Sequence, residues 1–238
     1  MIGPEKQTKF WYGVGMLLYL IKYSRLEISN PVQELTKVVD GATPGHWKAM
    51  ERTIKYVLDT ENYALKIKPN KKNGFFTLGG VSDSEFGGDK DTRVSVYGFL
   101  LFFCEGLIAW KSKAGKSVTL SSTEAEYFGT SELAKEVIFA KQILETMGVI
   151  LEFPIIIEVD NTGAIYIANN YTTGQRTKHI DIRAHFVREF IEDGVLKVVF
   201  VRSEDNGADI YTKNTTEFLF EKHSSKYMED VTTRLGQD

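Results

Sequence analysis

The chain has 238 residues, 42% of them hydrophobic and 26% charged, which are ordinary globular values and enough for a substantial core. A formal net charge of -3 excludes a protein that grips nucleic acid by overall positive charge, though not one with local basic patches. The single cysteine, Cys104, excludes an intrachain disulfide and a cysteine-based metal site, as expected of a reducing, intracellular setting: cytoplasm, nucleus or a virus-like particle.

Residues 9 to 68 read as helical. Lys9 to Tyr23 is rich in Leu, Met and aromatics, and its apolar core, Val14 to Ile21, is far shorter than the roughly 20 residues of a membrane span. No signal peptide is evident and no membrane partner is expected. Pro31 to Val39 is a short amphipathic segment closed by Gly41. Thr43-Pro44 opens a run to Asp59 with Trp47, Met50, Ile54, Val57 and Leu58 at helical spacing. This is a packing annex without a phosphate loop or paired carboxylates. Pro69 to Gly74 is turn-forming and marks a domain boundary.

The period then changes. Phe75 to Asp83, Ser95 to Phe103 and Leu107 to Lys111 read as strands, the last two joined by Cys104-Glu105-Gly106 in an antiparallel meander. A helix is expected from Ser122 to Met147, stopped by Gly148. Ile155 to Asp160 is a short β-branched strand of the kind buried on both faces. One or two helices to Glu192, a strand from Leu196 to Val201 and a helix near Asn206 complete an α/β sheet with an antiparallel edge. The expected organisation is therefore a helical segment 1–70, a domain 71–214, and a tail 215–238 without assigned role.

Four acids stand at comparable places. Asp83 follows the first strand, Glu126 lies in the first turn of the long helix, Asp160 ends the central strand, and Asp209 opens the last helix. Each has a local alternative. Asp83 suits a turn, Asp160 caps a helix, Thr123 and Glu126 fit a capping box, and Asp209 suits a helix dipole. Taken together, they can converge on one edge of one sheet. Two like charges about 4 Å apart repel by about 4 kcal/mol at an effective dielectric near 20. Several such pairs rival a domain's stability of roughly 5–15 kcal/mol, so the cluster must take up protons or cations. All-oxygen ligands suit Mg²⁺, with Mn²⁺ as a substitute, and a pair of such ions serves in-line phosphodiester hydrolysis.

Val81-Ser82-Asp83-Ser84-Glu85-Phe86-Gly87-Gly88-Asp89 resembles the tyrosine-serine-aspartate-alanine-aspartate-tryptophan-alanine-glycine-aspartate motif of copia-type retrotransposon ribonuclease H. Ala109 to Lys113, Leu120 to Tyr127, Asp160-Asn161, Arg176 to Arg183, Glu204-Asp205 and Ala208-Asp209-Ile210 follow in that family's order. Residues 75 to 214 carry the likeness, and residues 13 to 68 look like the end of the same polyprotein's reverse transcriptase.

The resemblance implies a ribonuclease H-like five-stranded mixed sheet with flanking helices behind a small helical annex. It implies a two-metal site of Asp83, Glu126 (rather than Glu124), Asp160 and Asp209, with Asp83 and Asp160 serving both ions. The implied substrate is the RNA strand of an RNA–DNA hybrid, and the implied partner is the polymerase part of a reverse transcriptase. Glu85 and Phe86 replace the usual aspartate and tryptophan, Gly207 stands where leucine is common, and Arg202 to Ala208 lacks the histidine of cellular enzymes. The polymerase's paired aspartates are absent.

Lys111, Lys113, Arg176, Lys178 and Arg183 are the expected phosphate contacts. Ser82, Ser84 and Asn161, beside the acids, are candidates for the RNA 2′-hydroxyl. Arg188 suits either a phosphate contact or a solvated helix face. The competing reading is a non-catalytic or domesticated nucleic-acid-binding remnant, which the missing polymerase core motivates.

Overall fold

The computed structural model describes residues 1–67, 75–89, 92–115, 118–170 and 178–233. In chain order these form α1 (Pro4–Tyr23), α2 (Ser29–Thr36), α3 (Pro44–Asp59), β1 (Tyr63–Leu65), β2 (Leu78–Glu85), β3 (Val96–Phe103), β4 (Gly106–Ala114) and α4 (Ser122–Thr146). They continue as β5 (Ile155–Val159), α5 (Thr162–Asn169), α6 (Lys178–Glu192), β6 (Leu196–Phe200), α7 (Asp209–Thr212), α8 (Glu217–Ser224) and β7 (Met228–Asp230). The chain divides into two compact units, Met1–Lys66 with Thr216–Asp238, and Ile67–Thr215.

In the first unit, α1, α2 and α3 enclose Phe10, Val14, Leu17, Val32, Leu35 and Met50. Proline starts α1 and α3, where its missing N–H costs nothing, and Thr43 with His46 forms a reciprocal capping box on α3. The segment set apart from sequence as a tail is part of this unit. β7 pairs antiparallel with β1, Leu65 opposite Met228, and the Tyr56 and Phe220 rings meet edge to face at 6.0 Å. A three-residue strand whose partner lies at the other end of the chain leaves no periodic signal to read.

The second unit is a mixed five-stranded sheet in the order β4-β3-β2-β5-β6. β4, β3 and β2 form the antiparallel meander, and β5 and β6 run parallel to β2. The turn at Cys104-Glu105 places both residues at positive φ, 49° and 67°, as a tight right-twisting hairpin requires. α4 packs across β2 and β3 and also meets α5 and α6, burying Tyr97, Phe99, Leu133, Val137, Ile155 and Ile157.

The opposite sheet face carries α7, packed on β2, β3 and β4. This corrects the expectation that β5 is buried on both faces. Ile155, Ile157 and Val159 are buried, Ile156 is half-buried and Glu158 is exposed, because the short α7 covers the antiparallel half of the sheet.

Candidate metal centre

Asp83 sits in the middle of β2 opposite Gly98 of β3 and is 1% exposed. Strand alternation turns Ser82 and Ser84 toward α4 and Asp83 toward α7. The Ser82 hydroxyl lies beside that of Thr130, and the Ser84 hydroxyl donates to the Ala125 carbonyl at 2.9 Å. Both serines are buried, so the structure corrects their expected role: neither hydroxyl is presented to a substrate.

Gly98 is what lets α7 reach Asp83. A Cβ there would lie 2.8 Å from the Tyr211 Cβ and 3.0 Å from the Thr212 Cγ2, so any side chain must push α7 off the sheet. Ser112 of β4 donates to the Tyr211 carbonyl from the same sheet face, and the Thr212 hydroxyl donates to Asp83 Oδ2. Gly98→Ala is expected to cost about 1–3 kcal/mol through overpacking, and to weaken cation-induced stabilisation because Thr212 and Asp209 withdraw. Thermal melts with and without Mg²⁺ check this; an unchanged cation effect would show that α7 tolerates the displacement.

α4 supplies Glu126. The helix starts at Ser122 as expected, and its cap lies two residues before Thr123: Ser121 accepts from the Glu124 N–H at 3.1 Å, and Glu124 accepts from the Leu120 N–H at 2.6 Å. The cap is therefore Ser121 with Glu124, not Thr123 with Glu126, which leaves Glu126 with no part in it. Gly129, three residues on along the same helix face, admits β2: a Cβ there would stand 2.7 Å from Ser84 Oγ. Glu126 accordingly comes down onto the Asp83 strand and takes a backbone hydrogen bond from Ser84.

Asp160 follows the end of β5, and its Oδ2 accepts from Ser203 at 2.6 Å. Capping of α5 falls instead to Asn161, whose Oδ1 accepts from the Ala164 N–H at 2.9 Å. Asp83, Glu126 and Asp160 each offer a carboxylate oxygen, and the three oxygens lie within 4.8 Å of one another. Asp209, the first residue of α7, stands outside that mutual distance. It is joined to Asp83 through Lys213, whose ammonium is 3.0 Å from Asp209 Oδ1 and 3.6 Å from Asp83 Oδ1.

Burial first, then the charges of Asp83 and Asp160, push Glu126 up to about 9. Burial and then Asp83 push Asp209 up to about 7, against the pull of Lys213. Burial works against the Lys213 ammonium, yet Asp83, Asp209 and Asp160 outweigh it and hold its pKa above the ordinary lysine value. The repulsion foreseen from sequence is thus met in two ways: a proton on Glu126 and an internal cation.

Sequence reasoning missed Lys213, Thr212, Ser203 and Asn206. Lys213 was legible, four residues after Asp209 on a helix and therefore beside it. Asn206 bridges distant parts of the chain, donating to the Ser82 carbonyl and accepting from the Ala208 N–H, both at 3.0 Å. It thereby ties the loop before α7 to β2, a contact with no local signature.

The expected basic contacts divide. Lys111 lies on the α4 face, its Nζ 3.4 Å from Glu136 and over the Phe99 ring, while Lys113 is exposed. Arg183 is held by Glu132 at 3.1 Å and stacks on Phe128 at 3.9 Å. Arg188 is buried, with its Nε and Nη2 both donating to the Ile167 carbonyl, so it is a strut between α6 and α5. Arg176 lies outside the described residues, and Lys178 is described only as the first residue of α6.

The donor set fits a divalent cation. Among the described residues Glu126 Oε2 is buried without a hydrogen-bond partner, and Asp83 Oδ1 and Asp209 Oδ1 are buried with the Lys213 ammonium 3.6 Å and 3.0 Å away. A buried carboxylate oxygen such as Glu126 Oε2, with no donor to accept from, is a lone pair that a hard cation coordinates.

No protein-family model matches the chain. It is 34% identical over 213 residues to the retrovirus-related Pol polyprotein from transposon RE2 of Arabidopsis thaliana, covering 90% of this chain and 14% of that protein. It is 34% identical over 219 residues to the corresponding polyprotein from transposon TNT 1-94 of Nicotiana tabacum, covering 92% of this chain and 16% of that protein. Among solved structures it is similar to LC11-RNase H1, isolated from compost by a metagenomic approach, with 13% identity and a TM-score of 0.44. That match covers 57% of this chain and 92% of the other. The chain thus spans about one seventh of the length of the Pol polyproteins it matches along nine-tenths of its own, and it belongs to the family of retrovirus-related Pol polyproteins from copia-type transposons.

Proposed function

We propose that the unit Ile67–Thr215 is a metal-dependent ribonuclease H that hydrolyses the RNA strand of an RNA–DNA hybrid. The observation that carries the reading is the meeting of Asp83, Glu126 and Asp160, from three separate elements, with oxygens within 4.8 Å of one another. Family membership supports a nucleic-acid substrate, and the acid set supports Mg²⁺, with Mn²⁺ as the alternative.

In this reading Asp83, Glu126, Asp160 and Asp209 hold two ions. Bound there, such ions supply an activated water and stabilise the leaving oxygen of an in-line displacement. The chain's own contribution is placement. Thr212 fixes Asp83, Ser203 fixes Asp160, and Gly98 and Gly129 bring the two helices onto one strand. The Lys213 side chain, 36% exposed, can exchange its carboxylate partners for a substrate phosphate. Lys113, Arg176 and Lys178 are the remaining proposed backbone contacts, and the upstream polymerase part is the proposed partner. No helix among the described residues is long and apolar enough to cross a membrane.

Purified full chain mixed with labelled hybrid and Mg²⁺ tests this. The RNA strand is expected to be cut and the DNA strand spared, chelation is expected to stop the reaction, and Asp160→Asn is expected to abolish it. An RNA strand left intact with both metals refutes the proposal.

One observation favours the second reading, a binding module without catalysis. Lys213 and a protonated Glu126 satisfy much of the acid cluster without any metal. Hybrid binding indifferent to Mg²⁺ and to Asp83→Asn would select that reading.

A further inference from the structure

A cation of the chain's own already stands inside the acid cluster. Lys213 closes α7, and its backbone N–H donates to the Asp209 carbonyl at 3.1 Å, which anchors its stem beside that acid. Its ammonium lies 3.0 Å from Asp209 Oδ1 and 3.6 Å from Asp83 Oδ1, two buried oxygens brought together from α7 and β2. We infer that Lys213 holds the place of the second metal ion: its ammonium keeps that ion out of the substrate-free protein and yields to it when a substrate phosphate arrives. The inference rests on the ribonuclease reading and adds to it the order in which the site fills.

Geometry gives the first argument. Asp83, Glu126 and Asp160 form the mutual set for one ion, and Asp209 stands outside it. Paired ions lie roughly 3.5–4 Å apart, so one acid must reach both. Asp83 is that acid, since it belongs to the mutual set and also faces Lys213 beside Asp209. The Thr212 hydroxyl takes Asp83 Oδ2, and Oδ1 is the oxygen turned to the ammonium. An ion joining Asp83 to Asp209 therefore falls where the ammonium already sits.

Charge gives the second argument. Four ionised acids against one ammonium leave an excess of three negative charges. One divalent ion reduces that excess to a single charge. A second, with Lys213 still in place, reverses it among buried oxygens, where like charges repel most strongly. A phosphate supplies the missing negative charge and a new partner for the ammonium at once.

The side chain can make the exchange. It is 36% exposed, against 1% for the Asp83 side chain and 7% for that of Asp209, so its ammonium reaches solvent by rotation of the stem and gives up no proton. Lysine carries a point charge on a flexible stem, whereas a guanidinium would grip both carboxylates in a fixed fork. Arg25 with Glu27 shows the fixed kind of pair in this chain, with side chains 5% and 0% exposed and Arg25 also donating to the Thr60 carbonyl and hydroxyl.

Counting Mn²⁺ on the full chain by electron paramagnetic resonance puts this to the test. The count is made without nucleic acid and with a saturating hybrid whose RNA strand carries cleavage-resistant 2′-O-methyl groups. The wild type is expected to hold one ion in the first case and two in the second, the pair revealed by spin coupling. Lys213→Gln is expected to take up the second ion without hybrid, at least about tenfold more tightly than the wild type, because a neighbouring positive charge is gone. Its melting temperature is expected to rise more with Mn²⁺ than that of the wild type. Lys213→Arg is expected to bind the second ion more weakly than the wild type even with hybrid. Two ions on the substrate-free wild type, no second ion in its saturated complex, or a single ion on folded Lys213→Gln each overturns the inference and leaves the ribonuclease reading standing. No Mn²⁺ on either protein overturns both. The wild-type counts decide the matter even where Lys213→Gln does not fold.

Discussion

Asp83→Asn is expected to reduce hybrid cleavage by at least about a thousandfold while leaving the fold intact. Asp83 belongs to the mutual set with Glu126 and Asp160 and is also the acid that links Asp209 and Lys213 to that set. Metal-borne stabilisation of the developing charge is worth several kcal/mol, and each 1.36 kcal/mol is about tenfold, so losing a shared ligand removes about three orders of magnitude. Asparagine matches aspartate in size and keeps an oxygen for the Thr212 hydroxyl. It also relieves a charge that is 1% exposed and surrounded by other acids. The melting temperature in chelator is therefore expected to hold or rise as activity vanishes. Glu124→Gln supplies the contrast. Glu124 holds the Leu120 N–H at the start of α4, so its loss is expected to cost about 0.5–2 kcal/mol as a weakened cap while cleavage survives. Cleavage by Asp83→Asn within tenfold of the wild type would remove the acid cluster from the mechanism.

The two glutamates show what a sequence can disclose. Ser121-Ser122-Thr123-Glu124-Ala125-Glu126 offers more than one capping register, and local chemistry allows Thr123 with Glu126 as readily as Ser121 with Glu124. The choice is made by Gly129, which lets α4 lie against Ser84 and points the next acid upstream at β2. That is a tertiary fact. Sheet order was legible because β-branched runs, a hairpin turn and one long helix each carry their own period. Asp83, Glu126, Asp160 and Asp209 were legible as a set because each sits at an element's end or within a named motif. Ser203 and Asn206 were not, since each acts on a residue brought near only by the finished sheet, whereas Lys213 stands one helical turn from Asp209 and only its approach to Asp83 needed the sheet. Ser82 and Ser84 were misassigned for the complementary reason: adjacency in sequence to Asp83 is opposition in a strand. The pairing of β1 with β7, and with it the place of residues 217–230, rests on six residues at two ends of the chain.

The acid cluster also fixes how stability and cation affinity respond to pH. Glu126 titrates near 9 and Asp209 near 7 in the folded chain, against ordinary values of 4.5 and 3.8. Folded protein therefore holds these protons more tightly than unfolded protein. The stability they confer is complete below about pH 4 and is lost as pH rises, Asp209's share levelling off near pH 7 and Glu126's near pH 9. Each group contributes a slope of up to about 1.4 kcal/mol per pH unit within its own window. Lys213, with its pKa raised above the ordinary value, contributes stability throughout this range and loses it only at more alkaline pH. In chelator, then, the melting temperature is expected to fall between pH 5 and pH 9. Divalent cations reverse the trend, because coordination needs the carboxylates ionised and must expel the Glu126 proton. Mg²⁺ affinity is expected to rise about tenfold per pH unit between 7 and 9, with one proton released per binding event, as calorimetry in buffers of different ionisation enthalpy would register. Glu126→Gln is expected to flatten both slopes by the equivalent of one proton. If Mg²⁺ raises the melting temperature equally at pH 6 and pH 9, Glu126 carries no proton that matters, and its place among the ligands is lost with it.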